Sequence, residues 1–327
     1  SMQVLGTTTK RAEAGAPDIP VVVTSRRLMT ADIVRLTLGD PAGGELPPWA
    51  PGAHIDLILN DGTVRQYSLC GSPGDTEWTI MVLREERGRG GSRQIHDRVE
   101  VGHRLAVRGP RNNFELGIAP KYRFLAGGIG ITPLLPMLAD AERCRADWTL
   151  TYCGRTRSSM ALVDDLVLRY GDRIRVRADD VDGMFDVGGF LSQPSRGELV
   201  YACGPAGLLD AVLAEAGGWP AGSIRFERFE ALDVDMSADQ PFEVELALTG
   251  TVLAVPADRS ILDVVSEAGI QTLSSCQEGT CGTCETPVLS GEIVHRDAVL
   301  SAEERNEGDV MMICVSRAAC GRLVLDL

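Results

Sequence analysis

Four cysteines near the end of the chain have the spacing of an iron-sulfur site. Cys276, Cys281 and Cys284 follow the pattern C-x4-C-x2-C, and Cys314 comes after a further 29 residues. Plant-type [2Fe-2S] clusters are held by thiolates at this spacing, because four sulfurs must converge on two bridged irons. Zinc is the alternative metal, but zinc sites usually use C-x2-C pairs in both halves, and the second half has no such pair here.

A glycine motif stands at the end of a predicted strand, where a nucleotide can bind. The run from Gly127 to Pro133 follows an apolar stretch, residues 122–126, and opens a helical pattern. Such a strand, glycine turn and helix start let the backbone approach a pyrophosphate, although the spacing is not the Rossmann pattern G-x-G-x-x-G. A second apolar stretch, residues 199–203, ends at Cys203-Gly204-Pro205.

Two further motifs lie in the first hundred residues. Arg65-Gln66-Tyr67-Ser68 ends a predicted strand, and its arginine offers a fork that matches a phosphate. In the glycine-rich stretch at residues 88–92, Gly90, Gly91 and Ser92 can present backbone N–H groups at a helix start. A polar strand surface and a hairpin tip are the alternative interpretations. Together the two motifs indicate a phosphate site.

The elements that must position these motifs fall into three groups. Short strands separated by turn residues fill the first hundred residues, which indicates an antiparallel barrel or sandwich. After residue 120, apolar strands alternate with helical runs, as is typical of a parallel sheet covered by helices. The polar stretch 230–241 indicates a linker, and residues 242–255 predict a hairpin with one buried face.

Composition excludes several classes of protein. The 327 residues are 44% hydrophobic and 24% charged, which is typical of a folded globular chain and not of a disordered or fibrous one. Glycine and proline interrupt the longest apolar stretch, residues 124–139, so we expect no membrane span. The start of the chain has no secretory pattern, and the cysteine spacing does not indicate a disulfide scaffold. We therefore expect a cytoplasmic protein.

Acidic charge is concentrated in the last third of the chain. Residues 230–327 contain 18 acidic and 5 basic side chains, whereas residues 1–229 contain 28 and 27. An acidic unit of this kind repels nucleic acid and steers toward a basic protein partner. A solvated surface that promotes solubility is the alternative interpretation.

In its motifs and their order, the chain after about residue 19 resembles the phthalate dioxygenase reductase family, to which vanillate demethylase reductases belong. The resemblance implies a multidomain fold. An antiparallel β-barrel flavin domain is expected at 19–113 and an α/β parallel-sheet nucleotide domain at 114–229. A linker at 230–241 and an α+β β-grasp ferredoxin domain at 242–327 would follow. The implied [2Fe-2S] ligands are Cys276, Cys281, Cys284 and Cys314.

The resemblance also implies roles for single residues. FMN is expected on the barrel, bound by Arg65, Tyr67, Ser68, Gly90, Gly91 and Ser92. The dinucleotide is expected at Gly127, Gly128, Gly130, Thr132, Pro133, Cys203, Gly204 and Pro205. Catalytic roles in the hydride-transfer pocket are implied for Ser68, Cys203, Phe226 and Glu227. Simple packing at a domain end is the alternative for Phe226.

The implied function is electron transfer from NADH through FMN and the cluster to a terminal oxygenase. That partner would be of the Rieske type and would dock at the acidic ferredoxin domain, and a cytochrome P450 is the alternative. Arg155 and Arg157 favour NADPH, whereas Asp179, Asp180 and the family favour NADH. A redox sensor without turnover and a flavin reductase that releases reduced flavin are further alternatives. We expect a monomer.

Overall fold

The computed structural model describes residues 17–87, 90–230, 236–274, 277–280 and 282–327. Three main sheets follow one another along these ranges, and each has a buried apolar core. The multidomain fold expected from the sequence is confirmed. Among the helices that the structure describes, none is long and apolar enough to cross a membrane.

The first sheet is antiparallel, with the strand order β4-β3-β6-β1-β2-β5. Its elements are β1 (Ile19–Thr30), β2 (Ile33–Gly39), β3 (His54–Ile58), β4 (Val64–Ser68), β5 (Trp78–Leu83), α1 (Gly91–Arg98) and β6 (Arg104–Arg111). Val21, Leu36, Ile55 and Trp78 alternate toward a shared interior, into which α1 packs Ile95. The edge strands β4 and β5 contact each other, so the sheet curls into a barrel.

The second sheet is parallel, with the strand order β11-β10-β7-β8-β9. Its strands are β7 (Lys121–Gly127), β8 (Asp147–Gly154), β9 (Ile174–Ala178), β10 (Glu198–Cys203) and β11 (Ile224–Glu227). Its helices are α2 (Ile131–Arg143), α3 (Val163–Tyr170), α4 (Asp179–Asp182), α5 (Val187–Phe190) and α6 (Ala206–Ala214). The chain runs outward from β7 to β9 and then returns to the other side of β7. The connections therefore diverge at the carboxyl ends of β7 and β10, where open parallel sheets form a ligand crevice.

The third sheet is mixed, with the strand order β13-β12-β18-β14-β16. This part of the chain holds β12 (Phe242–Leu246), β13 (Thr251–Val255), α7 (Ile261–Glu267), β14 (Glu285–Ser290), β15 (Ile293–Val294), α8 (Ala302–Glu307), β16 (Val310–Met312), β17 (Arg317–Ala318) and β18 (Arg322–Leu325). The predicted hairpin is β12 and β13, and β18 pairs with β12 in parallel. Helix α7 begins at a capping box formed by Ser260 and Asp263 and buries Ile261 and Val265.

The far end of the polar stretch 230–241 is tied to the third sheet. Residues 231–235 of this stretch lie outside the described ranges. Asp239 accepts a hydrogen bond from Arg296 at 2.7 Å and lies 3.6 Å from the guanidinium of Arg317. Both arginines keep the pKa of the Asp239 carboxyl below its usual value. The last residues of the predicted linker are therefore held by charge-assisted contacts that composition alone did not indicate.

The barrel and the parallel sheet meet through a tight backbone contact. A Cβ added at Gly52 would lie 1.9 Å from the carbonyl oxygen of Phe114, and Gly52 has φ +98°. The Phe114 ring is buried in the core of the parallel sheet, with its centroid 5.4 Å from that of Tyr201. The chain that leaves the barrel is thus fixed to both units.

We predict that Gly52→Ala destabilises the protein by more than about 3 kcal/mol, because the added methyl group overlaps backbone and the φ value is strained. Gly62→Ala is the matched control, since Gly62 has φ +86° but nothing within 4 Å of an added Cβ. The control substitution is expected to cost about 1 kcal/mol. Chemical unfolding followed by fluorescence measures both. Equal losses would contradict the close contact.

Candidate functional site

Three of the predicted catalytic residues meet where the barrel faces the carboxyl ends of the parallel strands. Ser68 is the last residue of β4, Cys203 ends β10 and Glu227 ends β11. Cys203 and Glu227 are register partners on adjacent strands. The Ser68 hydroxyl donates to Glu227 Oε1 across 3.3 Å. Residues that are distant in the sequence therefore form one cluster across two structural units.

The ionisable groups in this cluster are held in their neutral forms. Glu227 is half-buried. Desolvation of its carboxyl raises the pKa from the usual 4.5 to about 8. Burial, and then the nearby Glu227 carboxyl, raise the pKa of the Cys203 thiol well above its usual value. Burial also raises the pKa of the Tyr67 phenol. Desolvation of this kind disfavours charge, so the Glu227 carboxyl is mostly protonated near neutral pH.

The predicted phosphate residues also lie together. A Cβ added at Gly91, the first residue of α1, would lie 2.6 Å from Arg65 Nε, so the guanidinium lies directly against the helix start. The Ser92 hydroxyl accepts the Glu85 backbone N–H at 3.0 Å. Gly90 is the N-cap residue of α1. A guanidinium beside unpaired helix N–H groups suits a phosphate. Gly88 and Arg89 of this stretch lie outside the described residues.

The two nucleotide motifs pack against each other. A Cβ added at Gly130 would lie 2.2 Å from the carbonyl oxygen of Cys203, and one added at Gly127 would lie 2.7 Å from Pro205 Cδ. Only residues without a Cβ allow the turn after β7 to approach the turn after β10 so closely. By contrast, nothing lies within 4 Å of a Cβ added at Gly128, which leaves room for a ligand beside that backbone.

The other residues of these motifs shape the turns. Thr132 is buried, and its hydroxyl donates to the Ile129 carbonyl at 3.1 Å. Pro133 is buried within the first turn of α2. Gly204 lies close to Gly127, since a Cβ added at Gly204 would be 3.0 Å from the Gly127 Cα. Thr132 and Pro133 therefore stabilise the turn that connects β7 to α2.

The placement of Phe226 separates it from the other three predicted catalytic residues. Phe226 packs against Val200, Ala202 and Leu209 on the other face of the parallel sheet, away from Ser68 and Cys203. Neighbouring residues of a strand point to opposite faces, so Phe226 and Glu227 lie on opposite faces of the parallel sheet.

Two of the predicted metal ligands lie in the described residues. Cys284 and Cys314 are both buried in the core of the third sheet. Cys276 and Cys281 lie outside the described residues. Between them, a Cβ added at Gly279 would lie 2.6 Å from Val315 Cγ2, next to Cys314 in sequence. The glycine of this loop thus packs directly on the segment that carries the fourth cysteine. Buried thiols beside a tightly packed glycine loop fit a [2Fe-2S] cluster.

Comparison with known proteins agrees with this architecture. Residues 244–319 match the family model of the 2Fe-2S iron-sulfur cluster binding domain. The chain is 41% identical over 318 residues to the toluene-4-sulfonate monooxygenase system reductase subunit of Comamonas testosteroni, covering 95% of this chain and 99% of that one. The solved structure of a phthalate dioxygenase reductase, described as modular for electron transfer from pyridine nucleotides to [2Fe-2S], matches with TM-score 0.70 and 36% identity over 95% and 98% of the two chains.

The chain belongs to the phthalate dioxygenase reductase family. This reductase is a flavin and iron-sulfur oxidoreductase, the reductase component of an oxygenase system. The matching family model assigns a [2Fe-2S] cluster to residues 244–319. An intact type IV self-sufficient cytochrome P450 monooxygenase also matches, with TM-score 0.87 and 40% identity over 95% of this chain. The reductase spans 41% of the length of that protein.

The raised pKa of Glu227 predicts a pH dependence of stability. Its folded-state pKa of about 8 lies above the usual 4.5, so the native state binds a proton that the unfolded chain releases. The free energy of unfolding that this bound proton contributes is complete below about pH 4.5 and is lost as the pH rises through about 8. We expect this loss to be on the order of a few kcal/mol.

Thermal unfolding of the reductase and of Glu227→Gln across this pH range measures the effect. The wild type should lose stability relative to the variant as pH rises, because glutamine does not ionise. If stability depends on pH in the same way in both proteins, the Glu227 carboxyl is solvated like an exposed one and the prediction is wrong.

Proposed function

We propose that the reductase carries electrons from NADH, through FMN on the barrel and the cluster in the third sheet, to a terminal Rieske-type oxygenase. The contact between Ser68 and Glu227 carries this proposal, because it joins the predicted flavin strand to the predicted nucleotide crevice at 3.3 Å. Bound NADH and FMN would supply two-electron hydride chemistry, and the cluster would supply one-electron transfer.

The chain's own residues would bind and orient these groups. Arg65, Gly90, Gly91 and Ser92 would hold the FMN phosphate at the start of α1, where Arg65 already lies against Gly91. The Tyr67 ring would lie beside the flavin, because Tyr67 precedes Ser68 at the end of the same strand. The Ser68 hydroxyl would lie at the reacting edge.

The nucleotide would occupy the crevice between β7 and β10. The backbone of Gly127, Gly128 and Gly130 would approach its pyrophosphate, supported by Thr132 and Pro133 and faced by Gly204 and Pro205. The neutral Cys203 thiol and neutral Glu227 carboxyl would place no negative charge where a hydride must pass.

We also propose the division of the chain expected from the sequence: a flavin barrel at 19–113, a nucleotide domain at 114–229, a linker at 230–241 and a ferredoxin domain at 242–327. Each main sheet lies within one of these ranges and has its own core, which supports this division. The unpaired, buried thiols of Cys70, Cys153 and Cys203 suit a reducing compartment, and we propose a cytoplasmic monomer.

The cluster ligands would be Cys276, Cys281, Cys284 and Cys314. We predict that Cys314→Ser abolishes cluster-dependent reduction of cytochrome c while FMN is still bleached by NADH. Cys320→Ser is the matched control, because the Cys320 sulfur accepts the Glu292 N–H at 3.3 Å in a separate part of the domain. Stopped-flow absorbance and cytochrome c assays measure both steps. Normal cytochrome c reduction by Cys314→Ser would contradict the ligand assignment.

The partner would dock on the acidic ferredoxin domain, whose 18 acidic and 5 basic residues favour a basic surface. A cytochrome P450 is the second candidate, because the self-sufficient P450 monooxygenase contains a region similar to 95% of this chain. Mixing the reduced protein with a purified Rieske oxygenase and, separately, with a P450 distinguishes them by the rate of electron transfer. Faster reduction of the P450 would favour the second candidate.

Docking by charge predicts a salt effect. Raising ionic strength from about 0.05 M to about 0.5 M shortens the Debye length severalfold and should slow electron transfer to the protein partner. Reduction of ferricyanide by the same sample is the control, because this small acceptor does not need the acidic surface and is itself anionic. Equal slowing of both reactions would argue against docking at the acidic domain.

A further inference from the structure

The segment that connects the barrel to the parallel sheet is fixed on both sides. Asn112 Nδ2 donates to the Pro51 carbonyl at 3.0 Å, and Asn112 Oδ1 accepts the Phe114 N–H at 2.9 Å. The Phe114 ring is buried against Tyr201 in the nucleotide core. The residue between these two anchors, Asn113, is therefore held in a defined place and is exposed on the protein's surface.

Asn113 also contacts the cysteine loop of the third sheet. A Cβ added at Gly282 would lie 2.8 Å from Asn113 Nδ2 and 3.4 Å from Val299 Cγ1. Gly282 follows Cys281 in the sequence, precedes Cys284 by two residues and has φ +72°. The Asn113 carboxamide thus lies against the backbone of the loop that carries three of the four proposed cluster ligands. All three structural units meet at this asparagine.

Net charge alone does not hold the third unit in place. Residues 230–327 contain 18 acidic and 5 basic side chains, whereas residues 1–229 are almost balanced with 28 and 27. A strongly acidic unit gains little long-range attraction from a nearly neutral neighbour. Short-range contacts between defined side chains and backbone must therefore orient the cysteine loop toward the barrel.

We propose that Asn113 is a positioning residue that docks the cysteine loop on the barrel through Gly282 and so sets the rate of electron transfer between FMN and the cluster. This inference rests on the proposed function. Electron transfer slows steeply with distance, and a loop that loses this contact samples longer distances. Asn113 acts through the loop and needs no contact with either substrate.

The test uses the full-length holoprotein and the variants Asn113→Ala and Gly282→Ala. After anaerobic mixing with NADH, stopped-flow absorbance follows FMN bleaching and cluster bleaching separately. FMN bleaching should keep its wild-type rate in both variants, because the nucleotide crevice is unchanged. Cluster bleaching should be at least severalfold slower. Wild-type cluster bleaching in Asn113→Ala would overturn the inference.

Gly250→Ala is the matched control for backbone strain, because Gly250 in the same domain has φ +69° and nothing within 4 Å of an added Cβ. Its cluster should be reduced at the wild-type rate, and equal slowing in this control would overturn the role of the contact with Asn113.

Two further measurements separate docking from damage to the cluster. The low-temperature EPR spectrum of the dithionite-reduced Asn113→Ala protein should match the wild type, and an altered spectrum would show a perturbed cluster instead. Hydrogen exchange in residues 282–290 should be faster in Asn113→Ala, and unchanged exchange would overturn the docking role. If NADH fails to reduce the cluster of the wild type, the proposed function itself falls, together with this inference.

Discussion

The close packing of the barrel against the carboxyl edge of the parallel sheet is the constraint on which the rest of this reductase depends. Ser68 and Glu227 come from different units, yet their side chains lie within 3.3 Å. Burial raises the pKa of the Glu227 carboxyl and of the Cys203 thiol, and the hydrogen bond from Ser68 offsets only part of the rise at Glu227. Gly52 makes this approach possible, because any side chain there would overlap the Phe114 backbone. The close packing of the two units therefore accounts for the raised pKa of the carboxyl at their junction.

The division of labour among the three units follows from their physical differences. The barrel offers a guanidinium and a helix start, which suit an anionic phosphate. The parallel sheet offers a crevice at its switch point, between two turns that pack without side chains. The third unit holds buried thiols within a strongly acidic surface. Phosphate binding, nucleotide binding and one-electron transfer therefore suit three different units, and these units must keep fixed positions relative to one another.

Much of this arrangement could be predicted from local patterns in the sequence. Alternating and continuous apolar runs predicted the antiparallel and parallel sheets, and the cysteine spacing matched a cluster domain that comparison confirmed. The role of Phe226 was expected from the family resemblance, whereas the structure places its ring on the face of the sheet opposite Glu227. Contacts between distant segments could not be predicted from local patterns. The ion pairs of Asp239 and the approach of Asn113 to Gly282 join distant segments, and no spacing in the sequence indicates them.

An anaerobic titration of the purified reductase with NADH, followed by visible absorption and low-temperature EPR, tests the central claim most directly. If the three units form one electron route, NADH will bleach both the flavin and the cluster bands, and a rhombic one-electron EPR signal will appear. A flavin that bleaches while no cluster becomes reduced would contradict the account and leave a simple flavin reductase.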